Sequence, residues 1–387
     1  PGASSAPRLR LRHIDTHMPS LLRRRLLLAP LLIGPLAGCD GRAPLRIGFI
    51  GGLSDRVSDV GQAGLAGVTL AVERVNRQGG LRGQVVEIVA RDDRNDRQAA
   101  TAMAQELVAA KVEAVIGPFS SGIAAAVMPV LEQAAVLTIS PTITSMDFVG
   151  RDDHLVRINR TTRDNASDYA TQLSRRGQKR VAVAYDQRNR AFSESWLGEF
   201  RTAAAALGAP PVGEVGFESR ADADFASIIA AMLDTRPDGL LFIASAADVA
   251  RLAQQARRLA PALPISASEW AATEQLVVLG GEVIEGLLIA QGFNRDDTSA
   301  RYREFREAYL QRFTREPGYS AVMAHDAASV LFDALQRRRP GESPRQALLA
   351  HGPYLGLQQQ IVFDAFGDGR REVTFTEIRQ RRFERVK

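Results

Sequence analysis

The stretch Leu45-Arg46-Ile47-Gly48-Phe49-Ile50-Gly51-Gly52, residues 45–52, is the part of the chain from which the fold follows. Its apolar run ends in a glycine pair, which is typical of a buried strand that leads into a turn. A helical stripe comes next and ends at Gly79-Gly80, and a second apolar run covers Val85–Ala90. The stripe consists of Leu65, Val68, Val72 and Val75. Strand, helix and strand in this order predict a βαβ unit with parallel strands.

The same alternation continues along the chain and then begins again. Val112–Ile116 and Val136–Ile139 are the next predicted strands, and Val181–Tyr185 opens a second array. Short apolar strands between amphipathic helices predict parallel sheets that helices cover on both faces. The polar stretch Arg157–Asp168 is the predicted connection between the arrays. The segments after about Leu287 are too short for a third domain, and we expect them to complete the first two.

A different pattern precedes the first strand. Arg23, Arg24 and Arg25 are followed by the apolar run Leu26–Leu36 and then by small residues before Cys39. A basic region, a short apolar region and small residues at a cleavage site are the marks of a secretory signal. The run is shorter than a typical transmembrane helix. We therefore interpret residues 1–38 as an upstream segment and a signal peptide.

The end of this leader resembles the lipobox of bacterial lipoproteins. In Leu36-Ala37-Gly38-Cys39 the cysteine would become lipid-modified and then N-terminal, with Met18 as the natural start of translation. The resemblance implies a periplasmic protein that a lipid at Cys39 holds to the membrane. Asp40 resembles a retention signal for the inner membrane. An ordinary signal peptide followed by a stray cysteine is the alternative.

The leader also accounts for the positive charge of the chain. Residues 1–38 hold six arginines and one acid, whereas residues 39–387 hold 43 basic and 43 acidic side chains. A nucleic-acid-binding protein needs a basic surplus, because contacts with phosphates supply most of its affinity. The exported part has no such surplus, so we expect no nucleic-acid partner. It also has no cysteine after residue 39 and can form no disulfide.

Several motifs in order carry a resemblance to a known family. The segments 46–54, 71–80, Val115–Gly122 and Ile139–Thr142 resemble the opening of type I periplasmic binding proteins, above all the leucine/isoleucine/valine-binding proteins of ABC importers. In the second array, three further matches fall at the family's spacing: Asp224-Phe225, Arg236-Pro237-Asp238 and Gln255-Ala256-Arg257. The resemblance implies an α/β fold of two doubly wound, Rossmann-like lobes joined by a three-stranded hinge.

The family architecture also implies where the lobes divide and where a ligand binds. The first lobe would take residues 44–160 plus 290–360, and the second would take 161–289 plus 361–387. Ligands of open α/β sheets bind at the carboxyl ends of the strands, so the turns after the strands should line a cleft between the lobes. The resemblance implies a small-molecule ligand, an ABC permease as partner and no cofactor.

Two turns of the first array are candidates for binding a carboxylate. Ser120 and Ser121 lie between a strand and a helix, where hydroxyls and free backbone N–H groups attract anions. Ser121 matches the family serine that binds the ligand carboxylate, although a plain N-cap explains the same residues. Thr142, Ile143 and Thr144 match the second carboxylate-binding turn. In that turn Thr144 would supply a hydroxyl and Ile143 backbone groups, and a turn without a ligand is the alternative.

The second array supplies the candidates for the other end of a ligand. Glu269 matches the family glutamate that pairs with the ligand ammonium, and a solvated loop glutamate is the alternative. The candidates for the side-chain pocket are Phe192, Ser245 and Trp270, and Ser54 is the last residue of the first motif. All are predicted to contact the ligand.

The pocket departs from the family at two aromatic positions. The family has tyrosine where Val60 stands, and a Tyr-Gly pair where Phe192-Ser193 stands. Ser245 occupies a position that is often aromatic, and Trp270 is a possible replacement wall. Losing phenolic hydroxyls leaves a more apolar pocket, so an amide, an aromatic acid or another small organic acid remains an alternative ligand.

Other classes of function have weak support in the sequence. His154, His325 and His351 are scattered, so we predict no metal site, and no nucleophile–base pair predicts catalysis. His325-Asp326 lies on a helical pattern and is predicted to have a core or hinge role. The first hypothesis is a solute-binding component of an importer. A ligand sensor for a signalling partner is the second, and an exported enzyme is the least supported.

Overall fold

Two parallel sheets organise the chain, and a computed structural model describes them over residues 42–55 and 57–386, together with residue 2. The first sheet has the strand order β2-β1-β3-β4-β5, and every pairing in it is parallel. Its strands are β1 Leu45–Gly51, β2 Val86–Asp92, β3 Ala114–Ile116, β4 Leu137–Ser140 and β5 Leu155–Arg157. The predicted leader and the predicted lipid attachment at Cys39 lie outside the described residues.

The second sheet has the order β14-β13-β10-β9-β8-β6-β7. Its inner strands run parallel, whereas β13 pairs antiparallel with both β10 and β14. A separate pair, β11 with β12, forms a small antiparallel sheet. The strands are β6 Val181–Asp186, β7 Gly213–Phe217, β8 Gly239–Ile243, β9 Ile265–Ala267, β10 Leu288–Gln291, β11 Tyr354–Leu355, β12 Gln360–Ile361, β13 Thr374–Arg379 and β14 Arg382–Arg385.

Helices connect the strands and cover both sheets. In the described residues they are α1 Asp59–Arg77, α2 Arg97–Ala109, α3 Ser121–Gln133, α4 Thr162–Arg175, α5 Arg190–Ala206, α6 Phe225–Asp234, α7 Ala246–Leu259, α8 Glu274–Gly280, α9 Ala300–Phe313, α10 Tyr319–Arg337 and α11 Pro344–Ala350. None of them is long and apolar enough to cross a membrane. Helices α1, α2, α3, α10 and α11 belong with the first sheet, and α4 to α8 belong with the second. We call these groups the first and the second lobe.

The most extensive packing between two helices lies in the first lobe, between α1 and α10. A Cβ added at Gly67 of α1 would clash with the backbone carbonyl of Ala321 in α10. Gly61 has the same relation to the carbonyl of Gly52. The glycines of α1 therefore permit close approach of backbone segments, a role that a side chain at these positions would prevent.

Two of the three predicted lobe boundaries fall inside strands, and the third, at residues 160 and 161, lies between β5 and α4. The boundary at residues 289 and 290 divides β10, which pairs with β9 and β13 of the second sheet. The boundary at 360 and 361 divides β12, while the chain enters the second sheet again only at Thr374. Pairing between strands that are far apart in the chain sets these boundaries, and the local apolar pattern does not indicate which strands pair.

The chain passes between the lobes after β5, after β10 and before β13, and two buried arginines connect these segments. Arg157 at the end of β5 donates to Asp368, with Nη2 at 2.6 Å from the carboxylate. Arg371 donates to Asp326 of α10 at 3.0 Å and to the carbonyl of Gly292, which follows β10, at 2.7 Å. Asp326 is fully buried, which agrees with its predicted core or hinge role.

The Arg371–Asp326 pair yields a prediction about stability. Arg371→Met leaves the Asp326 carboxylate buried without its cation, so we expect the free energy of unfolding to fall by about 3–5 kcal/mol. Urea denaturation measures this loss. Arg46→Met is the matched control, because it breaks the exposed 3.8 Å pair with Glu87 and should cost less than about 1 kcal/mol. Equal losses in the two variants would contradict the proposed importance of the buried pair.

Candidate functional site

A cleft between the lobes contains two adjoining chambers. The first chamber encloses about 570 Å³, its mouth included, and the second encloses about 640 Å³. Four residues line both: Phe119, Ser120, Asn189 and Trp270. Seven predicted site residues line the first chamber: Ser120, Ser121, Thr142, Thr144, Phe192, Glu269 and Trp270. The structure thus brings together residues from the turns after strands of both sheets.

The wall from the first lobe presents hydrogen-bond donors. Ser120 is the N-cap of α3, with extended backbone at φ −127° and ψ 136°, and makes no capping bond to its own helix. Ser121 begins the helix and is 2% exposed. Thr144 is 1% exposed, and its hydroxyl has no partner within the described residues. A helix start with free N–H groups beside two hydroxyls suits an anion.

Thr142 lies at the same wall but its hydroxyl is already used. It donates to the carbonyl of Phe119 at 2.7 Å. This bond fixes the turn after β4 against the turn after β3. Thr142 therefore helps to position Ser121 and Thr144 relative to each other. Its hydroxyl proton is not available to a ligand in the cleft while this bond is made.

The wall from the second lobe presents acceptors around Glu269. This residue follows β9, and its carboxylate accepts from the amide of Asn165 at 2.7 Å and from the indole of Trp196 at 3.1 Å. Burial raises the pKa of Glu269, while the hydrogen bonds from Trp196 and Asn165 lower it. Because the amide nitrogen of Asn165 donates to Glu269, its oxygen Oδ1 is left as a buried acceptor with no partner in the described chain.

Aromatic side chains close the first chamber. Trp270 packs edge-on against Phe192, with ring centroids 5.5 Å apart and planes at 78°. Tyr319 at the start of α10 and Phe119 after β3 add to the lining. Trp270, the predicted replacement for the family's aromatic wall, is thus in contact with Phe192. Most of the surface between the donors and the acceptors is apolar.

The second chamber is more polar. Its lining includes Asn95, Arg97, Asp186, Arg188 and Ser219. Asp186 accepts from the backbone N–H groups of Arg188 at 3.0 Å and Ser219 at 3.1 Å. Burial raises the pKa of Asp186 to about 6 in spite of these bonds.

Three predicted site residues do not line either chamber. The Ser54 hydroxyl, exposed beyond the end of β1, donates to Asp92 at the end of β2. Ile143 is fully buried in an apolar cluster, and its N–H donates to the Ser140 hydroxyl at 3.1 Å. Ser245 is the N-cap of α7, where its hydroxyl is 2.9 Å from Asp248. In each case a nearer polar group or the core takes the residue away from the cleft.

Several lining residues were not among the sequence predictions, chiefly Asn159, Asn165, Asn189 and Tyr319. The Thr161–Asp164 capping box marks the start of α4 and is visible in the sequence. It does not indicate that Asn165 meets Glu269, which lies 104 residues further along the chain. No group of His, Cys, Asp and Glu that suits a metal ion occurs among the described residues.

Two α/β lobes with a polar and aromatic cleft between them define a class of solute-binding proteins. A sequence model of the periplasmic binding protein family matches residues 44–380. The chain therefore belongs to the periplasmic binding protein family, which implies a periplasmic location and a binding function without catalysis.

Individual relatives give the same result. The Leu/Ile/Val-binding protein BraC3 of Rhizobium johnstonii is 27% identical over 268 residues, which cover 68% of this chain and 70% of the relative. The isoleucine complex of LivJ, a branched-chain amino acid transporter substrate-binding protein from Streptococcus pneumoniae, has a TM-score of 0.82 at 23% identity, covering 89% of this chain and 99% of that chain. A solute-binding protein of an R. palustris ABC transporter in complex with benzoate has a TM-score of 0.78 at 18% identity, covering 89% and 96%.

The raised pKa of Asp186 yields a prediction about pH. The folded protein binds a proton on the Asp186 carboxylate more tightly than the unfolded chain does. This proton binding contributes its full stabilisation of the folded state below about pH 4, and the contribution is lost as the pH rises through about 6. Asp186→Asn keeps the Oδ1 acceptor and removes the buried charge. We expect the variant to be more stable by about 1–3 kcal/mol at pH 7.5 and by less at pH 4.5. Denaturant unfolding at both pH values measures this, and identical pH dependence in the two proteins would contradict it.

Proposed function

We propose that the protein is the solute-binding component of an ABC importer and that its ligand is an α-amino acid with an apolar side chain. The observation that carries this proposal is the division of the first chamber into donors and acceptors. Ser121 and Thr144 offer donors from the first lobe, whereas Glu269 and Asn165 offer acceptors from the second. A zwitterion has one group for each wall.

The donor wall supports binding of the carboxylate. The Thr144 hydroxyl is buried with no partner in the part of the chain that the structure describes, and a buried polar group without a hydrogen bond costs about 1–3 kcal/mol. A ligand carboxylate would remove that cost. The start of α3 adds free N–H groups and the positive end of the helix dipole.

The acceptor wall supports binding of the ammonium. Both Glu269 oxygens already accept one hydrogen bond each, and a carboxylate oxygen has room for a second. Asn165 Oδ1 adds an acceptor whose orientation follows from its bond to Glu269. A primary ammonium has three donors and would satisfy this wall, whereas a second anion would be repelled by Glu269.

The remaining surface supports an apolar side chain. Phe119, Phe192, Trp270, Tyr319 and Met323 line the first chamber. Apolar surface favours an apolar ligand group, at about 25 cal/mol per Å² buried. Branched-chain amino acids, which the names of the relatives in Rhizobium johnstonii and Streptococcus pneumoniae indicate for those proteins, meet all three requirements.

We also propose that a permease receives the ligand and that Cys39 carries a lipid anchor. The family and its Leu/Ile/Val-binding members support the permease, since these relatives belong to amino acid transporters. The lipobox-like Leu36-Ala37-Gly38-Cys39 supports the anchor. A tethered binding protein remains close to the permease that it serves.

An aromatic carboxylic acid is the second candidate ligand. The edge-on contact of Phe192 with Trp270 favours it, and a solved relative from R. palustris binds benzoate. A ligand of this kind would use the donor wall and would leave Glu269 and Asn165 without a cation. The two candidates therefore differ in their dependence on Glu269.

Thermal unfolding with L-leucine, L-isoleucine, L-valine and benzoate tests the proposal. At about a hundred times its dissociation constant a ligand adds roughly 2.7 kcal/mol to the stability of the folded protein. We expect a branched-chain amino acid to give this shift. Glu269→Gln removes a charge-assisted hydrogen bond to the ammonium and should weaken binding about 10- to 100-fold in calorimetry.

Glu194→Gln is the control for this substitution, because Glu194 is half exposed on α5, pairs with Arg190 at 2.9 Å and lines neither chamber. It should leave the affinity unchanged. A shift with benzoate that Glu269→Gln does not reduce would favour the aromatic acid. Absence of a shift with all four compounds would refute both candidate ligands and leave the family assignment intact.

A further inference from the structure

Asn189 belongs to the second lobe, yet its side chain caps a helix of the first lobe. Its Oδ1 accepts from the backbone N–H of Gly122 in α3 at 2.9 Å and from the Ser120 hydroxyl at 3.3 Å. Asn189 is 8% exposed. The contact therefore joins the two lobes directly beside Ser121, in a setting that excludes most water.

Both helices in this contact depart from ordinary capping. Asn189 is the N-cap of α5, a position that asparagine favours because its side chain can accept from its own helix. Here it makes no such bond. Ser120, the N-cap of α3, also makes none to its own helix. The Asn189 oxygen Oδ1, which would ordinarily accept from α5, accepts from α3 instead.

Gly122 permits this approach. A Cβ added there would lie 3.1 Å from Asn189 Oδ1, which is tighter than ordinary contact and would force the Asn189 side chain to move by a few tenths of an ångström. Gly122 is the second residue of α3, in the first turn, where backbone N–H groups have no partner within the helix and can bind Asn189.

Other contacts between the lobes lie at the same end of α5. The Ser195 hydroxyl accepts from the backbone N–H of Met146 at 3.1 Å. The Arg188 guanidinium lies 3.6 Å from the Asp55 carboxylate. Opening of the cleft would break these contacts together with the Asn189 cap.

We propose that Asn189 is a positioning residue that holds the cleft closed and thereby sets ligand affinity. We call its contact with Gly122 and Ser120 the latch. The latch takes one N–H at the start of α3 and leaves Ser121 free to contact a carboxylate. Apparent affinity depends on the fraction of molecules in the closed form, so loss of the latch weakens binding even of a ligand that does not contact Asn189. The part of this proposal that concerns affinity rests on the proposed amino acid function, and the part that concerns closure does not.

Small-angle X-ray scattering of the protein, with and without L-leucine, tests closure, and calorimetry with L-leucine tests affinity. Asn189→Ala removes the acceptor, and Gly122→Ala crowds it while keeping every hydrogen-bonding group. We expect both variants to shift toward the larger radius of gyration of an open cleft. We also expect a Kd about tenfold higher, since one hydrogen bond is worth about that factor.

Gly198→Ala is the control for the glycine substitution, because Gly198 also lies in a helix and a Cβ there meets nothing within 4 Å. It should change neither the scattering nor the Kd. Urea denaturation identifies variants whose loss of affinity follows from a loss of stability.

The outcomes distinguish failure of the proposed amino acid ligand from failure of the latch. If the wild type does not bind L-leucine, the proposed ligand is wrong, and the scattering of the unliganded proteins still decides the latch. Equal scattering and equal Kd in the wild type and Asn189→Ala would overturn the latch. A wild type that scatters like Asn189→Ala under every condition would overturn it as well.

Discussion

The buried pair of Arg371 with Asp326 is the constraint on which the two-lobed arrangement depends. The guanidinium also donates to the carbonyl of Gly292, and Asp326 accepts from the N–H of Leu357 at 2.7 Å. Two charges that are at most 5% exposed have to be paired to be tolerated, so the connecting segments are fixed relative to α10. This arrangement leaves the turns after β3, β4, β6 and β9 on a common cleft.

The strand and helix alternation could be predicted because it depends on local periodicity. The glycines after β1 and the apolar stripe of α1 are sufficient to indicate a βαβ unit. Ser121, Thr144 and Glu269 were found through a family resemblance in their motifs, and all three line the first chamber. Ser54 and Ser245 show the limit of that approach, since neighbouring carboxylates bind their hydroxyls.

The residues that sequence reasoning missed act across the fold. Asn165 contacts a glutamate 104 positions away, and Asn189 contacts a glycine 67 positions away. Asn189 by itself indicates only the start of α5, and Asn165, the fourth residue of α4, indicates no partner outside its helix. The same holds for the ends of the lobes, because β10 belongs to the second sheet through its pairing with β13, a strand that begins more than 80 residues later. Such roles follow only from the packing of distant segments.

We propose that the cleft holds a zwitterion between a donor wall and an acceptor wall. A crystal structure of the protein with bound L-leucine would locate both charged groups of the ligand. We expect carboxylate oxygens within hydrogen-bond distance of Ser121 and Thr144, and the ammonium nitrogen within that distance of Glu269 and Asn165 Oδ1. A ligand whose nitrogen points away from Glu269, or one bound outside the first chamber, would contradict the claim.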